Sequence, residues 1–283
     1  MGNSKHRIHG FGDQLSPLTP GPWGHNDAGD PNAKRAVLGD KPGSTGMFDA
    51  GVAATGGSVC EPYQFVRRSI NDVPLLKLQR DEWYADGGLS IRGNDDFIGA
   101  TRGHLGQIKA TRCGALLLEK LRNLAGRKVH GLRFVILSED GGRSAEALNK
   151  PDAYPKGKQI EFWTDASRGG RSCFTGTGVG SDVVIHHNHT LHRNEDGQDV
   201  PPAIGLAHEL VHAWHQAAGT LATGWKDNVW NYERQSVGIG EYARCAGGCS
   251  GHVTENCIRS QWSPKLKPRM QYGGEAKGLE PDF

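Results

Sequence analysis

Apolar positions recur at three- and four-residue steps in two long stretches of the chain, and in alternation or unbroken runs in several short ones. The clearest helical stretch is 202–219. There Ala207, Leu210, Val211, Trp214 and Ala218 make one stripe, Pro201 and Pro202 suit a helix start, and Gly219 suits its end. A second helix is predicted from about His104 to Ala125, with Leu105, Ile108, Ala115, Leu116, Leu118 and Leu121 on a broad apolar face and Gly126 as the stop. Gly114 inside it marks close packing or a break. Asn94 is expected to cap a short helix holding Phe97 and Ile98, and Thr254 another that stops before Pro264.

The strand signals are shorter. Trp83, Leu89 and Ile91 around Asp86-Gly87-Gly88 predict a hairpin, or a strand after a turn, within Glu82–Gly93. Val129–Ser138 reads as a buried strand, Gln159–Thr164 as a short one and Ser181–Asn188 as another. Residues 143–157 are mixed and receive no assignment. Residues 1–60 carry 12 Gly and 5 Pro with almost no periodicity, so they are read as a flexible or disordered N-terminal segment, compatible with a secretion signal. The folded domain is expected over 61–283.

Bulk properties narrow the class. A net charge of +2 gives no reason to expect nucleic acid or an anionic membrane as partner. No run of 18 apolar residues is present, so no membrane span is expected, and the N-terminus lacks the apolar core of a Sec-type signal. Six Cys in 283 residues are too sparse for a disulfide scaffold and fit a reducing compartment.

The chemistry lies on the 202–219 helix. His208-Glu209-Leu210-Val211-His212 is an H-E-x-x-H pattern. Residues four apart share a helix face, so both imidazoles can address one ion, and Glu209 can reach a water held by it. Two His ligands, a carboxylate base and an open position are the parts of a zinc hydrolase. The alternative is a core helix that carries the three residues by chance. A metzincin would need Gly and His three and six positions after His212, where the chain has His215 and Ala218. A third ligand must come from a later segment: Glu233 is favoured and Glu241 is the runner-up. Tyr242 is a candidate oxyanion donor, with simple packing as the alternative.

Two other groupings attract notice. His186, His187, His189 and His192 suggest a second metal cluster, but alternating strand residues point to opposite faces, and a solvated His-rich loop is preferred. Cys245, Cys249 and Cys257 with His252 lack the usual C-x-x-C spacing and are read as unpaired thiols. The 181–188 strand is expected to run along the cleft as an edge and to pair with extended substrate.

Several pieces together resemble the NleD-like zinc metalloprotease effectors injected by bacterial type III secretion systems. They are Leu89-Ser-Ile-Arg-Gly-Asn-Asp-Asp-Phe97, Gly114-Ala-Leu-Leu-Leu118, Gly176-Thr-Gly178 leading into Ser181-Asp182-Val-Val-Ile185, His208-Glu-Leu-Val-His-Ala213, Glu233 with Val237-Gly-Ile-Gly240, and Thr254-Glu-Asn256 with Ile258-Arg259. They fall in the family's order over roughly 80–272.

The resemblance implies an α+β, zincin-like metalloprotease domain, with a small mixed sheet packed on the catalytic helix. It implies Zn2+ on the H-E-x-x-H histidines His208 and His212, with Glu233 kept as the favoured third ligand, and an endopeptidase delivered by the type III apparatus into the host cytoplasm. There it would cut host signalling proteins, stress-activated MAP kinases among them, to suppress defence. The His pair at 186–187 and the spacing around Cys245–Cys249 depart from the family pattern. Two rival readings are a host-factor binding protein with a structural metal and a metal hydrolase of a non-peptide substrate.

Overall fold

The computed structural model describes residues 61–62, 67–73, 80–126, 134–165, 170–194, 197–227, 229–243 and 253–272, with side chains omitted at 61–62, 161–165 and 170–172. The 1–60 segment, and Cys245, Cys249 and His252, lie outside these residues.

Among them the strands are β1 (Glu61–Pro62), β2 (Arg80–Tyr84), β3 (Leu89–Gly93), β4 (Phe134–Ser138), β5 (Arg143–Ala147), β6 (Gln159–Asp165), β7 (Gly170–Thr175), β8 (Val183–His187), β9 (Trp225–Lys226) and β10 (Val229–Trp230). The helices are α1 (Asp95–Lys109), α2 (Arg112–Ala125), α3 (Lys150–Ala153), α4 (Pro202–Ala218), α5 (Asn231–Val237) and α6 (Glu255–Ser260). Five strands form a mixed sheet in the order β2-β3-β4-β8-β5, antiparallel at both ends and parallel through the middle. β1, β7 and β6 form a separate sheet, and β9 pairs with β10.

The central strands explain the two-sided core. In β4 and β8, Phe134, Ile136, Val183 and Ile185 face one way, into the main core with Leu105, Ile108, Leu117, Leu121 and the apolar side of α4. The alternate residues Val135 and Val184 face the other way, onto Ile70 and Leu148. Strands paired on both edges and covered on both faces need unbroken apolar runs, which is what Phe134-Val-Ile and Val183-Val-Ile supply.

Three expectations change. The helix predicted from His104 to Ala125 is two helices, and the short one begun at Asn94 runs on to Lys109. Thr111 makes the break: its Oγ1 accepts from Gly114 N at 2.9 Å and so starts α2 as an N-cap. Gly114 allows the turn, because a Cβ there would overlap the Ile108 carbonyl. The 181–188 strand is internal, with β4 on one side and β5 on the other, so the edge belongs to β5, within the stretch left unassigned. Its short Arg-Ser-Ala-Glu-Ala run carries too little apolar patterning to announce itself. Finally, Cys257 is not an unpaired thiol: it is disulfide-bonded to Cys113, with Cα atoms 6.1 Å apart, tying α6 to α2 across 144 residues of sequence. No local spacing signals a partner that distant. Cys173 is disulfide-bonded as well, so the sparse cysteines do not mark a reducing compartment as their number suggested.

α4 is buried on almost all sides rather than along one stripe. It crosses between the sheet, α1, α2 and the C-terminal helices. Gly219 ends it in the left-handed conformation at φ 67°, which favours glycine, and its backbone packs against that of Gly178. Near the other end, Gly205 leaves the space taken by the Arg143 guanidinium from β5.

Candidate functional site

His208 and His212 stand one turn apart on α4, with Nε2 atoms 3.0 Å from each other. α5, after the Trp-bearing β9–β10 turn, brings Glu233 to them. Its Oε2 lies 3.1 Å from His208 Nε2 and 3.0 Å from His212 Nε2. All three residues are buried, and among the described residues they are the one group of three side chains that can hold a metal ion.

The other ring nitrogens fix what this triangle means. His208 Nδ1 is 3.0 Å from Glu255 Oε2, on α6, and a carboxylate can only accept, so Nδ1 carries the proton. His212 Nδ1 is 2.9 Å from Ser236 Oγ, on α5. With His208 Nδ1 protonated, neutral His208 presents its Nε2 lone pair to the second imidazole and to a carboxylate oxygen. Two ring nitrogens and a carboxylate oxygen gathered this closely in a buried place form a set that could hold a metal ion. Tetrahedral zinc with bonds of ~2.0–2.1 Å would place ligand atoms roughly 3.3 Å apart, close to the observed triangle. A proton is the weaker substitute. Burial pushes His208 down, but the hydrogen-bonded Glu233 and Glu255 outweigh it and hold the ring well above its ordinary value. The same field favours a metal ion.

Glu255 is itself held ionised. Burial raises it, but Arg269, His208 and Arg259 together bring it down to about 2. Arg259 Nη1 donates to its Oε1 at 2.9 Å, and Arg269 Nη1 lies 3.4 Å from Oε2. A carboxylate that grips a ligand imidazole from behind orients it and raises its basicity.

Glu209 is 2% exposed, and its Oε2 has no hydrogen-bond partner among the described residues. A buried carboxylate oxygen left unpaired is costly in a structural role and is what a proton acceptor beside a water site needs.

Glu241, the runner-up ligand, is elsewhere: its Oε2 lies 3.2 Å from Arg234 Nη2 and 3.9 Å from Lys226. Tyr242 follows it in a short 3-10 turn and is half-buried. Two other tyrosines flank the imidazoles. The Tyr272 ring stacks on His208 at 5.8 Å between centroids and also carries the Arg269 guanidinium over it at 4.3 Å, and Tyr232 meets His212 edge-on at 5.8 Å. Sequence reasoning missed Ser236, Glu255, Arg269, Tyr232 and Tyr272. Glu255 had a weak signal, as the acidic first-turn residue of a helix already placed by its Thr254 cap.

The other histidines take different roles. His215 Nδ1 bonds Thr220 Oγ1 at 3.0 Å. His186 faces Glu139 at 3.4 Å. His187, on the opposite face of β8, is fully buried rather than solvated, with Nε2 3.1 Å from His104 Nδ1 and Phe97 beside it. α1 covers it, which the strand pattern alone does not reveal.

Comparison with known proteins adds the family. No curated protein sequence matches the chain. Among solved structures, the catalytic domain of Clostridium botulinum neurotoxin serotype F is similar at 14% identity with a TM-score of 0.34, covering 59% of this chain. The chain spans only 48% of that chain's length. No helix among the described residues is long and apolar enough to cross a membrane. The model of the Peptidase M91 family, described as effector protein, matches residues 85–272, from the β2–β3 turn to Tyr272, and the chain belongs to this peptidase family of effector proteins.

Proposed function

We propose that the chain is a zinc-dependent endopeptidase effector, delivered by a type III secretion apparatus into the host cytoplasm, where it cuts host signalling proteins. The observation that carries the reading is the buried triangle of His208, His212 and Glu233 with the unpartnered Glu209 beside it, in a chain of a peptidase family. Stress-activated MAP kinases are the substrate class implied by the resemblance of the motifs around residues 80–272.

His208, His212 and Glu233 would hold the ion. When bound, zinc supplies Lewis-acid polarisation of the scissile carbonyl and makes a water acidic enough to attack near neutral pH. The Glu209 carboxylate accepts that water's proton and passes it to the leaving amine nitrogen. Glu255 keeps the His208 imidazole in one tautomer and one orientation, and Ser236 holds the His212 ring in place. β5, the antiparallel edge of the sheet beside α4, offers backbone groups other than the Ala145 carbonyl, which Gln216 holds, to an extended substrate, which suits peptide better than a small ester. The oxyanion donor is to be drawn from Tyr242, as the sequence suggests, and from Tyr232 and Tyr272, which stand against the ligand imidazoles.

The test uses zinc-loaded protein with activated stress kinases and with small ester and amide substrates, each with and without chelator. Chelator-sensitive cleavage of a kinase at one site is expected, and Glu209→Ala should abolish it while keeping the fold and most of the metal. Cleavage by Glu209→Ala at near the wild-type rate would sink the assignment. Binding without any cleavage would favour a host-factor binding protein, and turnover of the small substrates alone a different hydrolase.

A further inference from the structure

A cavity opens with His212 in its wall. Ala145 and Ala147, two apart on the edge strand β5, line it as well, and their short side chains leave the space. Tyr232 and Leu221 add apolar walls. Gln216, one turn beyond His212 on α4, is part of the lining with Glu146, and is 7% exposed.

The Gln216 amide is orientated by the protein. Nε2 donates to the Ala145 carbonyl at 2.8 Å, which identifies the other atom as oxygen, and this Oε1 is buried with no hydrogen-bond partner among the described residues. A buried carbonyl without a donor is a standing cost that a ligand's donor can remove. Lys150 stands in the same wall. Burial pushes its ammonium down to about 7 against the pull of Glu146, which stands in the same lining, so the wall carries both signs and does not by itself exclude a charged side chain.

We infer that this cavity receives the substrate side chain next to the scissile bond, and that Gln216 makes it selective for a side chain carrying a hydrogen-bond donor, a hydroxyl or an amide. The inference rests on the peptidase reading. An apolar analogue of equal shape leaves Oε1 unpaired, and sites built this way discriminate strongly against the analogue that lacks the donor. We expect a preference of ~10-fold or more within isosteric pairs.

The zinc-loaded protein is incubated with a random dodecapeptide library, and the residues flanking each cut are counted. At one flanking position Tyr should exceed Phe, Thr exceed Val and Gln exceed Met. Gln216→Leu should bring these ratios to about one. Ala147→Leu fills the cavity and keeps Gln216, so at that position it should select against the larger members while preserving Thr over Val. A wild-type profile without donor preference, or ratios unmoved by Gln216→Leu, overturns the inference. If the wild type cuts no peptide, the kinase incubation still decides the peptidase reading, and a second arm decides the cavity: phenol and anisole are titrated onto the protein by NMR. Phenol binding ~10-fold tighter than anisole, with the difference lost in Gln216→Leu, supports the donor site. Equal binding, or none, overturns it.

Discussion

Glu255 Oε2 meets His208 Nδ1 at 3.0 Å, so a helix that supplies no atom to the ligand triangle controls one of its imidazoles. Removing that carboxylate leaves His208 free to rotate and to change tautomer, and strands the buried Arg259 and Arg269 without their shared anion. Glu255→Gln should weaken zinc binding by ~10–100-fold, measured by competition with a chelator. An unchanged affinity would remove Glu255 from the metal-binding argument.

The choice between the two candidate carboxylates is directly measurable. Glu233→Ala should be purified with little metal, while Glu241→Ala should keep it. Among the described residues Glu241 is the nearest carboxylate to the buried Arg234 guanidinium, so its loss should cost ~1–3 kcal/mol of stability in chemical denaturation without loss of metal. The reverse metal contents would move the ligand to Glu241.

Single Phe variants at Tyr232, Tyr242 and Tyr272 should identify the oxyanion donor. The donor's variant should lose ~10²–10³ in kcat with its metal retained, and the other two should change little. Equal small effects at all three would leave transition-state stabilisation to the metal and Glu209.

Stability should fall as the pH drops below neutrality, partly through His104 and His187. Burial lowers His104 to about 4 and His187 to about 2, assisted by neighbouring His and Arg charges. The unfolded chain therefore binds protons near pH 6.5 that the folded pair refuses, so stability is full above that pH and is lost progressively below it. Chemical denaturation of metal-free protein from pH 7.5 to 5 should show this decline, and His187→Leu should flatten it relative to wild type. Parallel slopes would contradict the assignment.

Gly114→Ala should destabilise by ~1–3 kcal/mol, because the added methyl must push the Ile108 carbonyl out of the α1–α2 turn. Thermal unfolding of the variant against Ala115→Gly, which alters the same helix without the collision, checks it.

Sequence pattern disclosed local things well. The α4 helix, its Gly219 stop, the β4 and β8 runs and the caps at Asn94 and Thr254 are all written in residues a few positions apart. Glu233 could be proposed because a metal-site pattern demands a third ligand. Glu255, Ser236 and Tyr272 could not, since their roles exist only once α5 and α6 fold back on α4. The Cys113–Cys257 pair is hidden for the same reason. The single-helix reading of 104–125 failed because a capping Thr and a sterically required Gly outweigh an apolar face that continues across the break.

The missing side chain at Gly205 has an effect beyond α4 itself. The Arg143 guanidinium lies across that gap and donates to the carbonyls of Leu191 and Arg193, the latter at 3.2 Å. The first residue of β5 is thereby packed against the helix and hydrogen-bonded to the loop that precedes it. An edge strand fastened at its end loses little freedom when another chain pairs with it, so the entropic cost of docking falls largely on the incoming peptide. Selection among targets would then favour segments that are already extended and unstructured before they arrive.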